Sequence, residues 1–319
     1  MESYLPVPAD ARIREYVAAS KSPSTKRTVM RYWALWEGWC ALHDWQPMPA
    51  DLARLKAWLV YLVDQHVVKE RTGRSRRVGV TVKTLELALW AVNTVHVLHG
   101  LPAPGQDEGV KALMGGIRRK RGRTPEQKAP LTIVELDQVK WGRTPRAIRD
   151  KALLCVGFAA CLRVSELVAL RVEDLEPTKY GLRVLIRKSK TDQEGRGAWV
   201  DIVHSERYPN ACAVAALMVW LKLRGNDPGL LFQSTLHHKW IGQALTRRTV
   251  DQAIKRAVIS LGLDPARYSC HSLRSGCATH LTDERLPATR IMAHGRWKSP
   301  AMLARYDRGA VASEIERVW

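Results

Sequence analysis

Acidic side chains are scarce in this 319-residue chain: 31 Asp and Glu face 51 Lys and Arg, for a formal net charge of +20. An excess of that size favours a polyanionic partner, because neutralising phosphates releases their condensed counterions. The plainer alternative is a basic but otherwise ordinary soluble protein. The six cysteines contain no CxxC pair, which excludes a disulfide framework and a zinc ribbon. Cys155 and Cys161 fall in an apolar stretch and read as core. A phosphate-cradling glycine loop, a carboxylate cluster and any other metal-ligating pattern are missing, so neither a cofactor nor a metal is expected. No apolar run approaches membrane-spanning length, and the opening MESYLPVPADARIREYV lacks an apolar signal core. The expectation is a cytoplasmic, nucleoid-associated protein of bacterial, phage or plasmid type that does not engage a membrane. Internal repeats and low-complexity tracts are likewise absent.

What is present divides the chain in two. Residues 25–43 place Val29, Trp33, Trp36 and Cys40 at three- and four-residue spacing behind Ser24 as N-cap, which predicts an amphipathic helix. A second helix is predicted at 51–66 (Leu52, Leu55, Leu59, Leu62, Val63). A third runs over about 81–98 (Leu85, Leu89, Val92, Val95) and is ended by Gly100-Leu101-Pro102. A short fourth covers about 108–120. The first hundred or so residues read as a helical bundle, with most tryptophans serving as core. Two basic stretches stand outside that core. VKERTGRSRRVGVTVK, 68–83, carries Arg76, Arg77 and Lys83, and RRKRGR, 118–123, carries Arg118, Arg119, Lys120 and Arg121. Each either tracks a phosphate backbone or is a solvated charge run. The second leads into TPEQKAP, a basic, proline-containing linker.

A second domain starts at Leu131. Thr132 and Glu135 have capping-box spacing. Residues 147–162 read as an apolar helix, and RVSELVALRVEDL reads as another. GLRVLIRKSK, 181–190, and AWVDIV, 198–203, flank TDQEGRG and predict a β-hairpin. Beyond it the chain reads as helical again over 210–224, 246–261, 271–283 and onward. The fold expected is mainly α, with a small hairpin or sheet in the C-terminal domain.

Chemistry concentrates in that second domain. Arg163 lies in an apolar, helical neighbourhood and needs a partner there; Glu166, three residues on, is close enough to supply one. A structural Arg–Glu pair is the bland account. Arg274 poses the same problem in HSLRSG, with His271 one turn back. Two converging guanidinium forks match the non-bridging oxygens of a phosphodiester, and His271 could add a hydrogen bond. Tyr306 could then attack phosphorus as a phenolate favoured by the arginine charges, giving a phosphotyrosyl enzyme and expelling a sugar hydroxyl. Lys190, at the end of the first hairpin strand, is placed to protonate that leaving group. Charge stabilisation by arginine is worth about 10³–10⁵ in phosphoryl transfer, so this chemistry calls for no metal.

Arg163-Val-Ser-Glu166-Leu, then Lys190, then His271-Ser-Leu-Arg274, then Trp297 nine residues before Tyr306, resemble in order and spacing the tyrosine recombinase (phage integrase) family. Trp at position 297, where many members have His, is similar to the Cre-like branch. Counting nine back from the tyrosine selects Trp297 rather than His294. Val82-Lys83-Thr84 at the head of the third helix, His96, and IRRKRGR before the linker resemble that branch as well. The basic insertion at 68–80 and SKTDQEGRG depart from it.

The resemblance implies a two-domain, C-shaped DNA clamp. Its parts would be a helical, SAM-like core-binding domain at 1–123, a linker at 124–130 and a catalytic domain at 131–319. Arg163 and Arg274 would clamp the scissile phosphate, Glu166 would support Arg163, and Lys190 would be the general acid. His271 and Trp297 would hydrogen-bond the phosphate, and Tyr306 would be the nucleophile. It further implies duplex DNA with inverted half-sites, a dimer on each site, a tetramer in the synapse and a Holliday junction. Arg247 and Arg248 open a helix that the resemblance places in the major groove, reading guanine edges or holding phosphates. The tail VASEIERVW, 311–319, could dock on a neighbouring protomer or on its own domain. Two rival readings remain: a type IB topoisomerase, with the same chemistry but no site choice, and a catalytically inactive DNA-binding regulator.

Overall fold

The computed structural model describes residues 22–64, 67–69, 75–77, 79–122, 127–189, 192, 197–236, 239–304 and 306. The protein is mainly helical with small antiparallel sheets, and its contacts separate it into two units, Met1–Pro125 and Glu126–Trp319. None of the described helices is long and apolar enough to cross a membrane.

In the first unit, α1 (Pro23–Ala41) begins earlier than its apolar stripe suggests. Ser22 is the cap, its hydroxyl accepting the Thr25 N–H at 3.2 Å, and Pro23 takes the first helical position, where no N–H is needed. Helix α2 (Leu52–Asp64) precedes a short antiparallel pair, β1 (Val67–Lys69) with β2 (Ser75–Arg77). Helix α3 (Val82–Leu98) is capped by Thr81, and the left-handed Gly100 stops it by returning its N–H to Val97. Helix α4 (Glu108–Arg121) is capped by Asp107. The apolar stripes meet in a core of Trp36, Leu55, Trp58, Leu59, Leu85, Val92 and Met114.

In the second unit, α5 (Ile133–Gln138) carries the full capping box: Thr132 accepts from the Glu135 N–H, and Glu135 accepts from the Thr132 N–H at 2.7 Å. Helix α6 (Pro145–Ala159) is the buried centre of the unit. The sequence predicts a second long helix directly after it, and the structure corrects this. Cys161 takes φ +51 and Arg163 an extended conformation, so α7 (Val164–Leu167) is a single turn followed by a 3₁₀ turn at Val172–Asp174. The physical reason lies in the backbone pairing. Leu170 and Val172 exchange hydrogen bonds with Leu231 and Gly229, so the chain's polar groups are satisfied across the fold instead of along a helix.

Strands β3 (Leu175–Thr178), β4 (Gly181–Ile186) and β5 (Ala198–Val203) form an antiparallel meander. Leu182, Val184 and Ile186 alternate inward with Val200 and Ile202. Helix α8 (Ala213–Arg224) leads to a second, unanticipated hairpin, β6 (Gln233–Leu236) with β7 (Lys239–Ala244). Then come α9 (Arg247–Ser260), α10 (His271–Asp283), α11 (Ala288–Gly295) and α12 (Pro300–Leu303). Helix α10 passes directly beneath residue 131: the Leu131 N–H donates to the Ser272 carbonyl at 2.9 Å. A Cβ on Gly276 would sit 1.9 Å from the Leu131 oxygen, so only glycine permits this approach. The tail at 311–319 and residues 123–126 of the linker region lie outside the described residues.

Candidate active site and nucleic-acid contacts

The extended backbone at Arg163 has a local purpose. As N-cap of α7 it leaves its own N–H free, and the Glu166 Oε2 accepts it at 3.0 Å while Oε1 accepts Nη1 of the same arginine at 2.7 Å. Glu166 is 3% exposed. Burial raises its pKa, but the Arg163 N–H, the Arg296 charge and the Arg163 side chain outweigh that, and the net shift is downward. The Nε and Nη2 edge of Arg163 makes no hydrogen bond among the described residues.

Arg274, also 3% exposed, reaches the same place from α10. Its two terminal nitrogens donate to the carbonyls of Cys161 and Gly295. Its Cζ lies 4.4 Å from the centroid of the Trp297 ring, a cation–π geometry that fixes the guanidinium plane. Burial lowers the Arg274 pKa, and the Arg163 and Arg296 charges push the same way. The left-handed turn at Cys161 is what aims its carbonyl at these guanidiniums. Trp297 in turn packs on Gly295, where a Cβ would lie 1.8 Å from the ring. Its other neighbour is Tyr306, with ring centroids 5.5 Å apart. The Tyr306 carbonyl accepts the Thr279 hydroxyl at 3.2 Å, which ties the residue to α10.

Arg163 with Glu166, and Arg274 with Trp297 and Tyr306, thus form two sets of direct contacts from four separate segments, bridged by Arg296, which donates to Glu166 and to the Cys161 carbonyl that also receives Arg274. His271 opens α10 one turn before Arg274 and is exposed. Lys190 lies outside the described residues, but Ser189 and Asp192 on either side of it line a cleft of about 320 Å³ with Arg296, Trp297 and Lys298. His294 is occupied elsewhere, its Nε2 2.8 Å from the Ala159 carbonyl oxygen. Sequence reasoning passed over Arg296. It donates to Glu166 at 2.9 Å, and its only local signal is its place immediately before Trp297.

The basic residues singled out for DNA are distributed over both units. Arg247 and Arg248 are exposed in the first turn of α9, where the helix dipole repels cations and attracts anions. Lys83 is exposed at the head of α3 with Glu86 at 3.4 Å. At the end of α4, Arg118 pairs with Glu86 at 2.9 Å and Arg121 with Asp64 at 2.5 Å. Arg119 and Lys120 are exposed and form no ion pair among the described residues. The side chains of Arg76 and Arg77 lie outside the described residues.

Comparison with known proteins points to one family. Residues 131–312 match the phage integrase family. The chain is 29% identical over 294 residues to an integrase/recombinase xerD homolog of Selenomonas ruminantium, covering 90% of this chain and 82% of that one. It is 24% identical over 294 residues to the recombinase Cre of Escherichia phage P1, covering 86% and 80%. A Tn1549 transposon integrase solved in complex with transposon right end DNA shares the fold, with a TM-score of 0.61 at 16% identity, over 93% of this chain and 94% of that one. With its arginines, tryptophan and tyrosine drawn from distant segments into one cluster, the chain belongs to the phage integrase family, the tyrosine recombinases.

Proposed function

We propose that this protein is a site-specific recombinase that cleaves and rejoins duplex DNA through a 3′-phosphotyrosyl link. Arg163 and Arg274 bind the non-bridging oxygens of the scissile phosphate, and Glu166 orients Arg163. Tyr306 gives its phenolic proton to solvent and its oxygen forms a bond to phosphorus. The bond from phosphorus to the 5′ oxygen breaks, and Lys190 protonates that departing oxygen, leaving a free 5′ hydroxyl. His271 and the Trp297 indole N–H add hydrogen bonds to the phosphate. One phosphodiester is exchanged for another, so a 5′ hydroxyl from a partner strand can reverse the step without ATP. The arginine charges carry the neutralisation that a metal would otherwise supply.

On this reading a dimer occupies inverted half-sites and a tetramer pairs two sites and resolves a Holliday junction, in the cytoplasm on nucleoid DNA. Arg76, Arg77, Lys83, Arg118, Arg119, Lys120 and Arg121 hold phosphates from the first unit. Arg247 and Arg248 approach a groove from the second. The observation that carries the reading is the chain of contacts from Glu166 through Arg163, and from Arg274 through Trp297 to Tyr306.

The test uses a duplex recovered from a random pool by binding to the wild-type protein, nicked so that cleavage is trapped. Wild type should form a denaturant-stable adduct, and Tyr306→Phe should bind the duplex and form none. An adduct with the phenylalanine variant would sink the assignment. Relaxation of plasmids that lack the selected site would favour a topoisomerase instead, and binding by wild type without any strand transfer would favour a regulator.

A further inference from the structure

Arg296 has three unfavourable features at once. It ends α11 with φ +57 and ψ 42, a left-handed conformation that glycine adopts more easily. Its charge is buried, with a side chain 11% exposed. Its Nε is buried without a hydrogen-bond partner. Against these stand contacts that reach both halves of the phosphate clamp. Nη2 donates to the second oxygen of Glu166 at 2.9 Å, the carboxylate whose first oxygen holds Arg163. The same nitrogen donates at 3.3 Å to the Cys161 carbonyl, which also receives Arg274. Nη1 is held by the carbonyls of His294 at 3.1 Å and Ala160 at 3.4 Å.

We propose that Arg296 is a positioning residue for phosphoryl transfer: it locks the Glu166 carboxylate and the Cys161 carbonyl, and through them sets the angle between the Arg163 and Arg274 forks. This rests on the recombinase reading. With Oε2 accepting from both Arg296 and the Arg163 N–H, and Oε1 from the Arg163 side chain, the carboxylate is held in one rotation and Arg163 presents its unengaged edge in one direction. Arg163 and Arg296 then pair with one carboxylate while Arg274 rests on the Trp297 ring beside them, leaving an excess of positive charge in a largely buried set. Such an arrangement is relieved by an anion bearing more than one negative charge, which a phosphate becomes when a fifth oxygen attacks it.

The experiment compares wild type with Arg296→Gly, Arg296→Lys, Glu166→Gln and the Glu166→Gln/Arg296→Gly double variant. Glycine accepts the left-handed backbone without strain; lysine keeps the charge but cannot span the carboxylate and both sets of carbonyls. The readouts are affinity for the selected duplex, the single-turnover rate of adduct formation on its nicked form, and the affinity of the free protein for inorganic phosphate, followed by its thermal shift. Arg296→Gly should bind the duplex as wild type does and form adduct about 10²-fold more slowly, the scale expected when reacting groups are misplaced by an ångström. The double variant should be slower than Glu166→Gln by much less than about 10²-fold, because the two changes share one carboxylate and only the Cys161 contact is left to lose.

A purely structural role would lower the melting temperature but leave the rate well below that temperature intact, and would add to the glutamine substitution. An unchanged rate or additive losses overturn the proposal. Should Arg296→Gly fail to fold, Arg296→Lys decides, with a slowed rate at unchanged duplex affinity supporting the proposal and a wild-type rate overturning it. If wild type forms no adduct, the recombinase reading fails separately and phosphate decides alone. A weakened phosphate response in the folded Arg296 variant then supports the clamp, while an equal response, or none in wild type, overturns it.

Discussion

The arginine of α10 and those of α4 are the same residue type under opposite physics. Arg274 has exchanged water for two backbone carbonyls and a tryptophan face, and it cannot move without breaking all three. Arg118, its side chain 54% exposed, has one surface carboxylate, and Arg119 and Lys120 face solvent. Surface pairs of the kind available to α4 are worth about 0–1 kcal/mol and are screened over about 8 Å at physiological salt. The buried guanidiniums have given up most of their hydration in the free protein, so on the proposed reading a phosphate would meet aligned donors with little reorganisation. The difference teaches a division of labour. The second unit's arginines should govern the rate of a bound complex, and those of the first should govern how tightly the complex forms.

Arg274→Lys would break that division most severely. A lysine cannot donate to two carbonyls and stack on Trp297, so adduct formation should fall by about 10³–10⁵. Duplex affinity, measured by gel shift, should change little. Equal losses in rate and affinity would show that Arg274 is a binding residue like the others. Lys190→Ala should follow with a loss of about 10²–10⁴ in cleavage, the usual range for removing a general acid. A substrate whose 5′ leaving group needs no protonation should restore most of it.

The site was partly legible in the sequence because its members carry local signals. Arg163 and Arg274 stand out as charges in apolar surroundings, and the Thr132–Glu135 box, the β4–β5 alternation and the stripe of α3 are all contained within short windows. Two elements were illegible for the same reason as each other. LRVSELVAL has helical periodicity, yet pairing of Leu170 and Val172 with residues near 230 overrides it. Nothing in QSTLHHKWIGQA outweighs the helical segments on either side, yet it forms β6 and β7. Arg296 was missed because its meaning depends on Glu166, 130 positions away, and no window contains both.

Removing Arg119 and Lys120 sharpens the comparison from the other side. Each phosphate that the protein ceases to neutralise should flatten the slope of log affinity against log salt by about 0.9. The cleavage rate of saturated complex should stay at the wild-type value. A rate that fell with these substitutions would mean that the surface of α4 shapes the active site, contrary to the division proposed. An unchanged slope would return both residues to the role of charges that complement the C-terminal end of a helix dipole.

The smallest effect concerns acid. Glu166 and Glu86 both have lowered pKa values: burial opposes the shift at Glu166, whereas at Glu86 the Arg118 hydrogen bond leads it. A carboxyl whose folded pKa lies below its unfolded value adds stability above the unfolded pKa, near 4.3 for glutamate, and loses it as pH falls through the folded value. Both residues should therefore make the protein less resistant to urea on acidification, and Glu166→Gln and Glu86→Gln should each flatten that dependence. Salt separates them. Molar salt screens the exposed pair of Glu86 with Arg118 and should erase its share, while the enclosed set of Glu166 with Arg163 and Arg296 should keep its share. Protonating Glu166 also leaves three neighbouring guanidiniums with no counter-charge, so its loss should persist in high salt. If salt abolished the Glu166 contribution as completely as that of Glu86, the enclosed arginines would be as open to solvent as those of α4, and the contrast between the two regions would have no physical basis.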